Sequence, residues 1–307
     1  MAFTVKDVQT LRERTGAGMM ECKKALTDAE GDMDKAIDLL REKGLATAAK
    51  KSGRITADGL VYAVVDDAKK VGVVVEVNSE TDFVAKNADF QAFVKDVAVT
   101  IMNNAPADVE ALMQMPCGEY ATVAEALQNK IAVIKENMSV RRFVRYEGEC
   151  VAYVHGGGRI GVLVKFDADD KTAGSEQLVE CGKDVAMQIA ALNPLYLDKS
   201  TVPEADVAHE KEVLIAQIQN DPKMANKPAN IIEKMVDGRI GKFYEQNCLM
   251  QQAFVKDGDL TVAQYVAKQA QAAGGSMSVT DYVRFEKGEG LQKREDDFAA
   301  EVASMVK

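Results

Sequence analysis

The side chains able to do covalent chemistry are few: two histidines, His155 and His209, and five cysteines, Cys22, Cys117, Cys150, Cys181 and Cys248. Cys150 and His155 are near enough in sequence to suggest a thiol and its base, but their odd separation along an extended segment turns them to opposite faces. His155-Gly-Gly-Gly imitates the oxyanion loop of esterases, yet no G-x-S-x-G elbow accompanies it. Gly156-x-Gly158-x-x-Gly161 satisfies the dinucleotide fingerprint literally. That fingerprint requires a following helix whose N-terminus meets the pyrophosphate. Here a strand, Ile160 to Phe166, follows, so the glycines read as a hairpin turn. There is no H-E-x-x-H to hold zinc and no Walker G-K-[ST], and the alternation Asp28, Glu30, Asp32, Asp34 has Met33 where a calcium loop requires glycine. No catalytic centre, resident metal or cofactor site can be assembled.

What remains is the chemistry of contact. Asn78-Ser79-Glu80-Thr81-Asp82-Phe83-Val84 sets an aromatic ring among polar residues where a strand meets a helix. Phe83 can staple the helix to its own sheet, as most aromatics do, or stand out as a plug for a partner's pocket. An internal repeat bears on the choice. GLVYAVVDDAKKVGVVVEV (Gly59 to Val77) lies over GECVAYVHGGGRIGVLVKF (Gly148 to Phe166), with Gly72 on Gly161, and Lys95-Asp96-Val97-Ala98 follows on Lys183-Asp184-Val185-Ala186 after the loss of one residue. The second copy has Ala168-Asp169-Asp170-Lys171 in the corresponding stretch and no aromatic. A ring required by the repeated unit would occur twice, so its absence favours an added role. Met19 and Met20 pose a similar question: adjacent residues cannot both face a small helical core, so at least one points outward, flanked by Arg12 and Lys23.

The elements that must position these residues follow from pattern. Thr4 with Asp7 makes a capping box for a first helix, Gly16 and Gly18 end it, a second runs from Met19 to Ala29, and Asp32 caps a third that Gly44 closes. Ala46 to Arg54 reads as a basic linker. Each repeat copy reads as two strands and an amphipathic helix. Thr122 and Glu125 cap a helix between the copies, and Ser139 to Glu147 is an additional strand. Thr201 and Glu204 form a further capping box before one helix, Asp221-Pro222 breaks the chain, and Ile231 to Phe243 mark a second. Their narrow apolar stripes suit an antiparallel coiled coil. A helix (Val262 to Gln271), a strand (Val279 to Phe285) and a last helix with Phe298 and Val302 complete the chain. The class is α+β. The expected units are 1–54, helical; 55–147 and 148–199, two related ββα-type antiparallel-sheet subdomains; 200–245, an inserted hairpin; and 246–307, the end of the second subdomain with a C-terminal module.

The chain has 307 residues, 47% of them apolar, enough for more than one core. Its 38 basic against 48 acidic residues give a net charge of −10, which argues against a partner held by a basic surface, so neither nucleic acid nor a membrane is expected. An odd number of scattered cysteines supports neither a disulfide framework nor a C-x-x-C site. With no export signal at MAFTVKDVQT, a cytoplasmic location is expected.

Four segments then carry a resemblance: LRERTGAGMMECKKAL (Leu11 to Leu26), NSETDFVAKN (Asn78 to Asn87), HGGGRIGVLV (His155 to Val164) and VRFEKGEG (Val283 to Gly290). Together, and in this order, they resemble bacterial elongation factor Ts, the guanine-nucleotide exchange factor family that acts on elongation factor Tu. The resemblance implies a ubiquitin-associated-like N-terminal domain, a two-part core, a coiled-coil protrusion and a C-terminal module. It implies that Thr81, Asp82, Phe83 and Val84 intrude beside the partner's nucleotide and help displace its Mg²⁺. It also implies that Arg12, Met19 and Met20 dock on the partner, with Lys23 beside them and His155 near the interface. A helical peptide-binding adaptor or scaffold without exchange activity is the alternative, and a homodimer or larger heteromeric complex stays open.

Overall fold

The computed structural model describes residues 3–221 and 228–292. At its start Thr4 caps helix α1 (Val5–Thr15): the Thr4 hydroxyl accepts from the Asp7 N–H while the Asp7 carboxylate accepts from the Thr4 N–H at 2.7 Å. Gly16, at φ 66°, ends the helix. Helices α2 (Met19–Asp28) and α3 (Met33–Lys51) follow, and Asp32 caps α3, which accounts for part of the acidic alternation. Val8, Leu11, Cys22, Ala25, Leu26, Ala29 and Ala36 form the small core of this trio. One expectation fails: α3 runs through Gly44 to Lys51, so most of the anticipated basic linker is helix. Gly44 serves as a contact and not a stop, because a Cβ there would lie 3.2 Å from the Ala132 Cβ of a core helix.

Strands β1 (Asp58–Asp66) and β2 (Val71–Ser79) form an antiparallel hairpin. A single turn, α4 (Asp82–Ala85), then α5 (Ala88–Asn104), α6 (Val109–Met113) and α7 (Val123–Ile134) lead to β3 (Met138–Glu147), which pairs with β2. The second half runs β4 (Glu149–His155), β5 (Ile160–Ala168), α8 (Glu176–Leu192), α9 (Glu204–Asn220), α10 (Ala229–Asn247), β6 (Ala253–Phe254), β7 (Asp257–Thr261), α11 (Val262–Ala272) and β8 (Met277–Glu286). The two main sheets have orders β1-β2-β3 and β4-β5-β8.

The duplication is therefore larger than ββα. Thr122 and Thr261 cap α7 and α11 alike, Lys135 and Gly274 both hold positive φ after them (67° and 74°), and β3 and β8 both enter as the third strand. Even the irregularities agree: the register shifts between Glu76 and Val77 in one sheet and between Lys165 and Phe166 in the other.

Strand alternation explains how the halves join. In β2, Val71, Val73, Val75 and Val77 face a core with Phe90, Phe93, Val97 and Ile101 of α5. In β5, Ile160, Val162, Val164 and Phe166 face α8 and α11 in the same manner. The opposite faces meet each other across Val61, Ala63, Val74, Cys150, Leu163 and Phe285. Two glycines permit the close approach. A Cβ on Gly72 would lie 2.6 Å from Leu163 and 3.0 Å from Cys150, and one on its counterpart Gly161 would lie 2.4 Å from Val61 and 3.2 Å from Val74. Each glycine meets the counterparts of the residues that the other meets, the signature of a quasi-two-fold interface.

Helices α9 and α10 form a hairpin with its own cluster, Leu214, Ile218, Val236 and Ile240, flanked by Ile232, Met235 and Tyr244. Thr201 does not cap α9 as expected. It closes a capping box with Asp198 in a short 3₁₀ turn, and α9 starts after Pro203 with no side-chain cap. Pro222 and the expected final helix with Phe298 and Val302 lie outside the described residues. Among the described residues no helix is long and apolar enough to cross a membrane.

Candidate partner-binding surface

The turn after β2 separates two neighbouring apolar side chains completely. Val84 is 5% exposed and belongs to the first core, whereas Phe83 is 77% exposed, more than any other large apolar side chain among the described residues. One step around a helix makes the difference: with Val84 anchored inward, Phe83 must point away. The surroundings of the ring are polar. Asp82 pairs with Lys86 at 2.9 Å, which holds the Asp82 carboxyl below its ordinary value, and the Lys86 ammonium lies 5.8 Å from the Phe83 ring centroid. Ser79 donates to the Thr81 carbonyl at 2.9 Å. Glu136 accepts from Thr81, and Glu80 accepts from the Asn137 N–H and pairs with Arg54. The ring is thus no staple: its own sheet is sealed by Val84, Phe90 and Phe93.

The residues singled out near the N-terminus are all exposed. Met20 is 72% and Met19 38% exposed, so both methionines turn outward, while Cys22 and Leu26 occupy the inward positions of α2. Arg12 and Lys23 are exposed beside them in sequence. His155 is exposed at the end of β4, where its Nδ1 lies 2.9 Å from the Tyr153 hydroxyl. Among the described residues, no hydrogen bond or ion pair links the Phe83 turn, the methionine pair and His155 to one another.

The sequence decoys resolve in physical terms. Gly156, Gly157 and Gly158 hold φ values of 59°, 63° and 95°, and the turn they form lies against β1: a Cβ on Gly158 would fall 1.8 Å from Leu60, and Val61 donates its N–H to the Gly158 carbonyl at 2.8 Å. No helix follows to receive a phosphate. Cys150 sits between the two sheets, where burial pushes its thiol up to about 11. It faces Gly72, away from His155. No cluster of metal-ligating side chains occurs among the described residues.

Two features had no motif to announce them. The first is a buried charge cluster: Glu76, wholly enclosed, accepts from Arg142 at 2.6 Å, Arg141 at 3.0 Å, Asn78 at 3.0 Å and the Gly288 N–H at 2.8 Å. It explains the VRFEKGEG segment, whose Lys287 also reaches Asp58 at 2.5 Å, as a strap from the second half onto the first. The second is a cleft of about 640 Å³ between the N-terminal trio and α7, bridged by Arg41–Glu125 at 2.5 Å and Lys135–Glu21 at 3.0 Å.

The described residues thus form a duplicated α+β core that presents the Phe83 ring on a turn anchored by Val84. Comparison with known proteins says which family has this core. The family model for Elongation factor TS matches residues 80–289. The chain is 50% identical over 307 residues to Elongation factor Ts of Clostridioides difficile (strain 630), and 49% identical over 309 residues to that of Clostridium kluyveri (strain NBRC 12016), with 99% of each chain covered in both cases. The chain belongs to the elongation factor Ts family.

Proposed function

We propose that this chain is a guanine-nucleotide exchange factor: it binds elongation factor Tu in its GDP-bound or nucleotide-free form, displaces Mg²⁺ from the partner's site, and promotes GDP release so that GTP rebinds during translation elongation. The observation that carries the reading is the pairing of a core-anchored Val84 with an outward Phe83 at the family's T-D-F-V position. Thr81, Asp82, Phe83 and Val84 form the intruding turn. Arg12, Met19, Met20 and Lys23 form the docking face of a ubiquitin-associated-like module, and His155 lies at the rim of the same interface. The units are 1–54, 55–147, 148–199, 200–245 as a coiled-coil projection, and 246–307, acting in the cytoplasm.

The physical logic is linkage. A GTPase holds a nucleoside diphosphate with backbone N–H groups, a lysine and Mg²⁺, whose double charge offsets phosphate repulsion. A ring that disturbs the surroundings of the metal weakens nucleotide binding, and by reciprocity the nucleotide weakens factor binding by the same ratio. No bond is made or broken, so the chain is not an enzyme in the chemical sense. Direction comes from whichever nucleotide is abundant. An adaptor without exchange activity would bind through the N-terminal helices alone and leave nucleotide release unchanged.

Chelation tests the metal part of this reading. The factor accelerates GDP release strongly with Mg²⁺ in excess and much less when a chelator has already removed the ion; equal acceleration in both conditions counts against Mg²⁺ displacement.

A further inference from the structure

The exposed ring is useful only if the turn beneath it is held still. A helix of four residues does not hold itself, since its first turn costs more order than its hydrogen bonds return. Thr81 precedes that helix in the N-cap position, yet its own side chain caps nothing. Two carboxylates supply the restraint instead, in opposite directions, between the β2–α4 turn and the α7–β3 turn. Glu80 accepts from the Asn137 N–H at 2.6 Å. Glu136 accepts from the Thr81 N–H at 3.0 Å and from the Thr81 hydroxyl at 2.7 Å.

The duplicated half provides an internal control. In the position of Glu80 stands Asp169, and it accepts from the N–H of Ser276, the counterpart of Asn137, at 2.8 Å. That half of the clasp belongs to the common fold. The other half does not. The counterpart of Glu136 is Gly275, where even a Cβ would lie 2.4 Å from the Asp169 carboxylate, and the counterpart of Thr81 is Asp170. In the second copy Asp169 itself holds its turn, accepting from the Lys171 and Thr172 N–H groups. Among the described residues, a carboxylate that reaches across from the α7–β3 side occurs only in the copy that carries the exposed aromatic.

We propose that Glu136 is a positioning residue for nucleotide exchange: by fixing both polar groups of Thr81 it sets the start of α4 and aims Phe83 at the partner. The inference rests on the reading of Phe83 as the intruding group. Val84 anchors the same turn to the core, so loss of Glu136 frees the direction of the ring and leaves the fold in place. One hydrogen bond to a charged group corresponds to about tenfold in an equilibrium between aimed and unaimed turns, so losing the Glu136 pair corresponds to at least that factor.

The test is stopped-flow release of labelled GDP from elongation factor Tu over a range of concentrations of the full-length factor. For Glu136→Ala the maximal rate is expected to fall at least about tenfold, while the half-maximal concentration moves less than about twofold. Glu136→Gln can accept from the Thr81 N–H and donate to its hydroxyl, and should restore most of the rate. On a Phe83→Ala background, Glu136→Ala should cost nothing further, as expected of two residues acting through one group. Should Glu136→Ala lose its melting transition, Thr81→Val removes only the hydroxyl half of the clasp and should show an intermediate loss. A full rate for Glu136→Ala with Phe83→Ala slow overturns the positioning role alone, as does an undiminished Glu136 effect on the Phe83→Ala background. A full rate for Phe83→Ala overturns the intruding-ring reading and this inference with it.

Discussion

Phe83 and Val84 are neighbours whose truncation should have opposite consequences. The Phe83 ring is 77% exposed, so Phe83→Ala removes almost no buried surface from the free protein, and its stability should change by less than about 0.5 kcal/mol. If the partner encloses the ring, complete burial of such a side chain contributes about 1.5–3 kcal/mol. At 1.4 kcal/mol per factor of ten, the maximal rate of GDP release should fall by roughly one to two orders of magnitude. Val84→Ala deletes two methyl groups from a side chain that is 5% exposed in the first core, at a cost of roughly 1–3 kcal/mol of stability. Well below its melting temperature that variant keeps the ring on a loosened anchor and should lose less of the GDP-release rate than Phe83→Ala does. Thermal melts and stopped-flow fluorescence on both variants decide the matter. A Phe83→Ala protein that melts early, or one that exchanges at the wild-type rate, refutes the reasoning.

Other outcomes follow from the same geometry. Met20 is 72% exposed, so Met20→Asp should leave the melting temperature unchanged and weaken docking on elongation factor Tu about tenfold or more in calorimetry; equal affinity would remove the methionine pair from the interface. Burial raises the Glu76 carboxyl, but the Gly288 N–H, Asn78 and Arg142 together outweigh it and hold the group below its ordinary 4.5. The stabilisation is then complete above about 4.5 and lost as pH falls through the depressed value. Glu76→Gln should flatten that acid limb and cost about 2–3 kcal/mol at neutral pH, measured by denaturant titration. All five thiols are buried, and burial pushes Cys181 up to about 12 and Cys150 and Cys248 to about 11. A thiol reagent should therefore react only as the protein unfolds, and exchange should survive alkylating conditions; rapid native-state labelling that abolished exchange would revive a thiol mechanism.

What the sequence disclosed was mostly local. Thr4 with Asp7, Asp32 and Thr122 carry their helix starts within three residues, and the structure uses them all. The distinction of Phe83 came from its absence in the second copy, a comparison that needs no coordinates. Gly44 misled because a glycine that stops a helix and one that lets another helix approach are the same letter; only the position of Ala132 separates them. Thr201 misled because two overlapping capping boxes were available, and the one with Asp198 prevailed.

The third strands went unpaired for a different reason. Ser139-Val140, Val144-Arg145 and Glu147 do repeat as Ser278-Val279, Val283-Arg284 and Glu286, but the α9–α10 hairpin intervenes and changes the offset. Aligning those strands would also have set Glu136 against Gly275, a carboxylate against a residue with no side chain, which is the signal for the clasp. The Glu76 cluster offered no such signal: its partners Arg141, Arg142 and Gly288 are joined to it only by folding.

GDP release from Mg²⁺-loaded elongation factor Tu, measured with and without this protein while unlabelled nucleotide prevents rebinding, decides whether the chain is an exchange factor. Release should be accelerated by orders of magnitude at saturating factor, and excess GDP or GTP should take the factor–Tu complex apart. An unaltered release rate, with the complex nonetheless formed, would contradict that role.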